Sequence, residues 1–406
     1  MRTSMISTRV TTVAVAAATV AAAATIATPA SASANRQQSN APAAVRWHQV
    51  TANGQLNFAD VGLAVGSHNV LNVIWGTALT SGGHAKIMDT PVSFAGNVGH
   101  TVTIASGGFL WSYPDATATG THINVIWNGI LNGSPTSPQG GFISSRGAGG
   151  GAWSKPATIP PLSVHPATPI TNTATTGSDG KPWVAFATSN PMVVDHVPHS
   201  AQHIPPTTCC VYFPGLAVDS SSRATWVAYM SLSKHEGVFA QRLNQNGTAA
   251  GKAQLLPGTV TKNSTFPLNE RIAITGRAGH RAGVYLAYLT GYPFALHVNV
   301  QRAGSRKSVR VASTNTSRQF AGVAVSANSA GGLWLAWFNG DGARPGLTVR
   351  ESNSSITKFG RAKGIALPSG TSTIWKMYIK AVGSKLDIVA LLTRHGKTAY
   401  WTTQAR

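Results

Sequence analysis

The sequence predicts an all-β protein, a β-propeller closed by its own N-terminal strand. A short apolar or aromatic run recurs seven times along the chain. Each run is flanked by further short strands and by Gly/Ser/Asn turns, and no segment sustains a helical period.

The recurring runs are Val73-Ile74-Trp75, Val125-Ile126-Trp127, Trp183-Val184-Ala185-Phe186, Trp226-Val227-Ala228-Tyr229, Tyr285-Leu286-Ala287-Tyr288, Trp334-Leu335-Ala336-Trp337 and Ile388-Val389-Ala390-Leu391. Their mean spacing is about 53 residues, so seven units account for nearly all of the chain beyond position 34. A strand precedes each run, as in Leu63-Ala64-Val65, Leu216–Asp219, Ile272-Ala273-Ile274 and Val323-Ala324-Val325. A third strand of alternating character follows, as in Val238–Leu243 and His297–Arg302, and often a fourth, as in Gln254–Pro257. This predicts seven four-stranded blades, with six as the alternative count. The last repeat, near Trp375–Val382, Leu386–Leu392 and Thr398–Gln404, lacks a fourth strand. Val45–Val50 stands alone near the other end and is expected to complete it, sealing the ring and hiding an edge. Two stacked sandwich domains are the competing all-β arrangement.

Composition narrows the function. The chain of 406 residues carries a formal charge of +21, but only 11% of its residues are charged, against about 25% in ordinary soluble domains. A coiled coil or long helical bundle is excluded, because its lacing charges are missing. The 43% hydrophobic content is enough for a core and excludes wholesale disorder. Excess positive charge favours polyanionic partners, yet the basic residues are dispersed and no nucleic-acid module signature is present, so specific nucleic-acid binding is not expected. The nucleophile elbow, the P-loop, the dinucleotide fingerprint and the HExxH zinc motif are all absent, since His235-Glu236 is followed by Gly237-Val238-Phe239.

The first residues read as an address. Arg2 and Arg9 precede an uncharged stretch from Val10 to Thr28, then Pro29 and Ala30-Ser31-Ala32-Ser33-Ala34. This order predicts a secretory signal peptide over 1–34, cut after Ala34 or Ala32. Residues 35–44 form a polar, flexible leader, and 45–406 a single domain. No later stretch is long and apolar enough to span a bilayer. The expected product is a secreted, extracellular monomer.

At two places the chain resembles a family. Cys209-Cys210-Val211-Tyr212-Phe213-Pro214-Gly215-Leu216-Ala217-Val218-Asp219, followed by Trp226-Val227-Ala228-Tyr229, resembles sialidase-like repeat propellers. Gly150-Gly151-Ala152-Trp153-Ser154-Lys155-Pro156 resembles the end of the Asp-box turn of that superfamily, although Arg146 and Ala148 stand where the Asp-box has Ser and Asp. The arginine-isoleucine-proline entry motif of true sialidases is absent. The resemblance implies that the loops between blades, and those between second and third strands, form the binding face. It places the basic turns around Arg302, Arg306, Lys307 and Arg310 on the opposite face or rim.

On that mapping Arg271, Arg318 and Arg394 face the mouth as candidate ligand-binding residues, with Tyr292 and Glu236 beside them. Clustered guanidinium groups suit a carboxylate sugar, because each fork binds it in two places. Glu270, Tyr212 and Asp195 are the candidate catalytic residues, since glycoside hydrolysis needs two carboxylates or a carboxylate-assisted tyrosine. Of eleven carboxylates, only Asp195, Glu236, Glu270, Asp341 and Asp115 are expected to reach the mouth.

The segment from Ser189 to Thr208 is expected to replace the third and fourth strands of its repeat. It holds His196, His199 and His203, whose spacings suit one Zn or Cu ion if the loop forms a helical turn. A solvated loop with no cofactor is the alternative. Cys209 and Cys210 are the only cysteines. Adjacent Cα atoms lie about 3.8 Å apart, so their expected vicinal disulfide is a strained ring. Free thiols or metal ligation are the alternatives. The functional expectation is a secreted propeller that binds a carbohydrate or other anionic ligand at its mouth. The alternatives are a glycoside hydrolase of exo-sialidase type using the same face, and a protein-binding scaffold.

Overall fold

All seven apolar runs are strands in the computed structural model, and each is the second strand outward from a central channel. The structure describes residues 45–52, 60–77, 84–130, 139–159, 171–187, 192–197, 202–204, 211–231, 237–260, 272–279, 282–291, 295–316, 319–339 and 345–406. For some strand residues, 192–196, 202–204 and 212–213 among them, only the backbone is described.

The second strands read as unbroken apolar runs because they are covered on both faces. Sheets stand face to face around the channel, so Ala287 and Leu289 of one sheet share a core with Val323, Leu335 and Trp337 of the next. Ala336 and Phe338 of that sheet share another with Met377, Ile388 and Ala390. The inner strands approach very closely. A Cβ added at Gly62 would lie 2.5 Å from the backbone nitrogen of Ala116, so only glycine fits there.

Among the described residues, six hydrogen-bonded sheets make up the ring. Five are four-stranded and antiparallel, as in Ile272–Arg277, Gly283–Thr290, His297–Arg302 and Ser308–Ser313. The sixth has seven strands, from Gly62–Val65 to Ala157–Thr158. The expectation of seven separate sheets is thereby corrected to six, the alternative count, and the cause is one strand. Val102–Ala118 pairs through its first half with His84–Val92, with Asp89 opposite Val102. Its second half pairs with His122–Ile130, with Ala118 opposite Ile123. Register shifts at Phe109/Ser112 and Ser112/Asp115 bend it between the two tasks. No loop interrupts the ladder there, so two sheets fuse.

The expected closure is present. His48–Gln49 pairs antiparallel with Lys397–Ala405, setting His48 opposite Thr402 and Gln49 opposite Trp401. The Val50 amide donates to the Tyr400 carbonyl at 2.8 Å, and the Tyr400 amide donates to Thr51 Oγ1 at 3.0 Å. The Trp47 indole donates to the Ala366 carbonyl at 2.7 Å.

A second correction concerns the histidine-bearing segment. Met192–His196 and Gln202–Ile204 are themselves the third and fourth strands of the sheet begun by Thr171–Thr176 and Pro182–Ala187. The segment supplies those strands rather than replacing them, because Val193 and Val194 continue the apolar ladder against Phe186 and Ala185.

Buried charges brace the fused sheet. Arg146 lies 2.9 Å from Asp89, donates to Asn72 Oδ1 at 2.5 Å, and packs its guanidinium 4.7 Å from the Trp153 ring centre. Burial pushes the Asp89 carboxyl up to about 6, against the opposing pull of Arg146 and Trp153. Trp153 thus anchors the turn after Gln139–Gly147, where the Ser144 hydroxyl donates to the Ser154 carbonyl at 2.8 Å.

Candidate functional site: the mouth of the central channel

Seven inner strand segments surround a channel of about 1020 Å³. They come from Gly62–Val65, the second half of Val102–Ala118, Thr171–Thr176, Val211–Val218, Ile272–Arg277, Gly322–Ala327 and Thr371–Val382. Much of the wall is hydroxyl-bearing, including Thr117, Thr173, Thr175, Thr275 and Ser326. In each antiparallel sheet the first hairpin and the third-to-fourth turn lie at one end. The entry to the inner strand lies at the other, here termed the mouth, and the channel lining runs from Asp60 and Pro114 at the mouth to Arg223 and Gly383 at the hairpin end.

A charged cluster forms at the mouth. Asp60 stands two residues before Gly62–Val65, while Lys376 and Tyr378 come from Thr371–Val382, the innermost strand of the last sheet. Lys376 Nζ forms an ion pair with Asp60 Oδ1, and the Tyr378 hydroxyl donates to the same oxygen at 2.8 Å. The two charged side chains remain 18–20% exposed, and Asp60 and Tyr378 line the channel. Strand alternation explains the placement. Lys376, Tyr378 and Lys380 share one face, and Met377 and Ile379 pack into the core on the other.

Tyr113 approaches the cluster from the bend of Val102–Ala118. Its φ of +49° is left-handed, a strained setting for a residue with a Cβ. Burial raises the Tyr113 hydroxyl above its ordinary value, the Asp60 charge adds to this, and Lys376 opposes it.

Asp115 lies deeper in the channel. It accepts from the Ala116 and Ala174 amides, each at 2.7 Å, and so ties the fused sheet to the next one. Burial pushes its carboxyl up to about 6, with those hydrogen bonds, Thr173 and the Lys380 charge opposing. Burial lowers the Lys380 ammonium, and Asp115 opposes that. The channel lining therefore holds the Asp60 and Asp115 carboxylates, the Lys380 ammonium and the Arg223 and Arg277 guanidinium groups among neutral hydroxyls, a mixed donor and acceptor wall.

Of the residues nominated from sequence, Asp115 is in the channel. Asp60, Tyr113, Lys376 and Tyr378 were missed. Their one sequence signal is the alternation of Lys376, Tyr378 and Lys380 within a strand whose other face is apolar. Arg394 ends the second strand of the last sheet, where its Nε donates to the Ser369 carbonyl at 2.6 Å and its guanidinium sits 5.3 Å from the Trp401 ring centre. It anchors that edge and does not line the channel. Glu236, Glu270, Arg271, Tyr292, Arg318, Asp341, His199, Cys209 and Cys210 lie outside the described residues. Asp195 and His196 are in Met192–His196, His203 is in Gln202–Ile204, and Tyr212 opens Val211–Val218 opposite Met230. His203 pairs with Val193 across the ladder, and His196 ends the neighbouring strand. Among the described residues no cluster of three or more His, Cys, Asp or Glu side chains is suited to a metal ion. Nor does any helix among them have the length and apolarity to cross a membrane.

No family model matches the chain, and no curated protein matches it. Solved structures do. A protein of unknown function from Dyadobacter fermentans matches with a TM-score of 0.50 at 11% identity, over 89% of this chain and 99% of that one. Streptogramin B lyase matches with a TM-score of 0.49 at 10% identity, over 88% and 98%. Trypanosoma rangeli sialidase matches with a TM-score of 0.41 at 8% identity, over 86% of this chain and 55% of the sialidase, so the chain spans about half of that protein. At these identities the likeness is one of fold, and on its own sheet order and channel the chain is an all-β propeller.

Proposed function

We propose that the protein is an exported propeller that binds a carbohydrate at the mouth of its central channel, with room for an anionic substituent near Lys380. The observation that carries this is the Asp60–Lys376–Tyr378 cluster at the mouth of a hydroxyl-lined channel of about 1020 Å³. A polyhydroxyl ligand both donates and accepts, and this wall offers carboxylate, ammonium, phenol and threonine groups together. A bare anion suits it less well, because Lys376 already has a carboxylate partner.

The basic, apolar and small-residue order of 1–34 supports export.

A glycan array and a fluorogenic sialoside assay on one purified preparation test the reading. Glycan binding without turnover is expected, with affinity lowered in Asp60→Asn. Turnover that disappears in Tyr113→Phe would establish the hydrolase instead.

A further inference from the structure

Two grooves lie at the opposite end of the ring, on the joints between three consecutive sheets. The first, about 550 Å³, is floored by the half-buried Trp226 with Leu255 and Pro257. Leu255 is 41% exposed, which is unusual for a leucine in this protein. Arg242 stands directly across the ladder from Trp226, and Lys252 and Arg306 complete the rim. All three cations are exposed, and the groove has no carboxylate in its lining.

The second groove, about 540 Å³, repeats the design one sheet further round. Tyr285 stands across the ladder from Arg302, and Lys307 joins them, again with no carboxylate in the lining. One turn separates the two grooves, giving Arg306 to the first and Arg302 and Lys307 to the second. That turn is fixed in place. Gln254 Nε2 donates to the Ser305 carbonyl at 2.5 Å, and the Gly304 amide donates to Gln254 Oε1 at 3.1 Å. Gly304 has φ +79°, and a Cβ there would lie 3.5 Å from the Trp226 ring, so the turn presses against the platform.

We infer that these paired grooves form a binding track for an anionic polysaccharide, separate from the channel mouth. The first groove joins the half-buried Trp226 ring to exposed cations, and the second sets cations beside Tyr285, which is only 8% exposed; none of these cations has a carboxylate partner among the described residues. A sugar residue fits the first, its C–H face packing on the Trp226 ring while its carboxylate or sulfate meets the rim, and the second extends the run of cations. Repetition across a shared turn fits a polymer of repeating charged units better than a single small anion. A nucleic-acid strand would call for a series of stacking rings along one groove, and each groove here has one.

The test is retention of the full chain on immobilised polygalacturonate and heparin, with neutral dextran and a single-stranded oligo-dT as comparisons. Retention on the acidic polysaccharides and none on dextran is expected. The variant Arg242→Ala/Lys252→Ala/Arg306→Ala should weaken polysaccharide affinity about tenfold, since each partly exposed charge contributes modestly. The control Lys155→Ala/Lys181→Ala/Lys397→Ala removes the same charge from exposed positions elsewhere and should change affinity less than twofold. Equal losses in both variants would reduce the effect to diffuse charge and overturn the track. Tighter binding to oligo-dT than to either polysaccharide would overturn the ligand class, and no retention would overturn both.

Discussion

Tyr378 donates its hydroxyl hydrogen to Asp60 Oδ1 at 2.8 Å, joining residues 318 positions apart. Lys376 holds the same oxygen. The last inner strand is thus tied to the first at the mouth of the channel, and the closing seam of the ring doubles as the candidate site.

Asp60→Ala removes the acceptor shared by these groups. It should lower stability by about 1–2 kcal/mol, because a part-buried ammonium and phenol lose the carboxylate they share. Asp60→Asn should cost less, since one oxygen remains. Urea unfolding of the two variants checks the order, and equal midpoints would show that the pair does not hold the seam.

The closing strand makes its own prediction. Thr51 is 2% exposed and its hydroxyl accepts from the Tyr400 amide at 3.0 Å. Thr51→Ala removes the hydroxyl that accepts from the buried Tyr400 N–H, a loss of about 1–2 kcal/mol. Thr51→Ser keeps the oxygen and should recover most of it. Thermal melts of both, with the Ser variant near the parent, would confirm that the hydroxyl matters.

Acidification should stabilise this protein between neutral pH and about pH 4. Burial holds the carboxyls of Asp89, Asp115 and Asp387 up at about 6, from an ordinary 3.8. The folded chain therefore binds protons more tightly than the unfolded chain across that window. The contribution is full below about 3.8 and is lost as pH rises through about 6. Asp387→Asn keeps an oxygen for Gln404 Nε2, which donates to Oδ1 at 2.7 Å. Its melting temperature should vary less between pH 4.5 and 7.5 than the parent's. Superimposable profiles would refute the assignment for Asp387.

The aromatic core of the fused sheet is a further test. Trp127 is fully buried, stacked 5.8 Å from Phe142 and edge-on to Trp111 at 5.4 Å. Trp127→Ala should cost about 3–5 kcal/mol through lost burial and the cavity left behind. Trp127→Phe should cost much less. Chemical denaturation distinguishes them.

Much of the fold was legible because its signals are local. A strand covered on both faces must be apolar throughout, so the seven runs announced themselves without any contact information. The orphan strand at Val45–Val50 and the missing strand of the last repeat pointed to each other by count alone. The site was much less legible. Asp115 stood out because acids are few, but Asp60 carries no motif, and its partners Lys376 and Tyr378 are 316 and 318 residues away. Proline-interrupted sequence around His196 and His203 read as a loop, yet Val193 and Val194 were enough to extend a ladder already begun by Trp183–Phe186.

By itself, then, the sequence determined the all-β class, the seven apolar strands and the closing strand, since alternation, composition and repeat length act within tens of residues. Only the tertiary structure decided that Val102–Ala118 serves two units, because hydrogen-bond continuity is a matter of register between neighbours. Likewise it alone brought Asp60, Tyr113, Lys376 and Tyr378 to one mouth, because ring closure, not spacing, sets which inner strands meet.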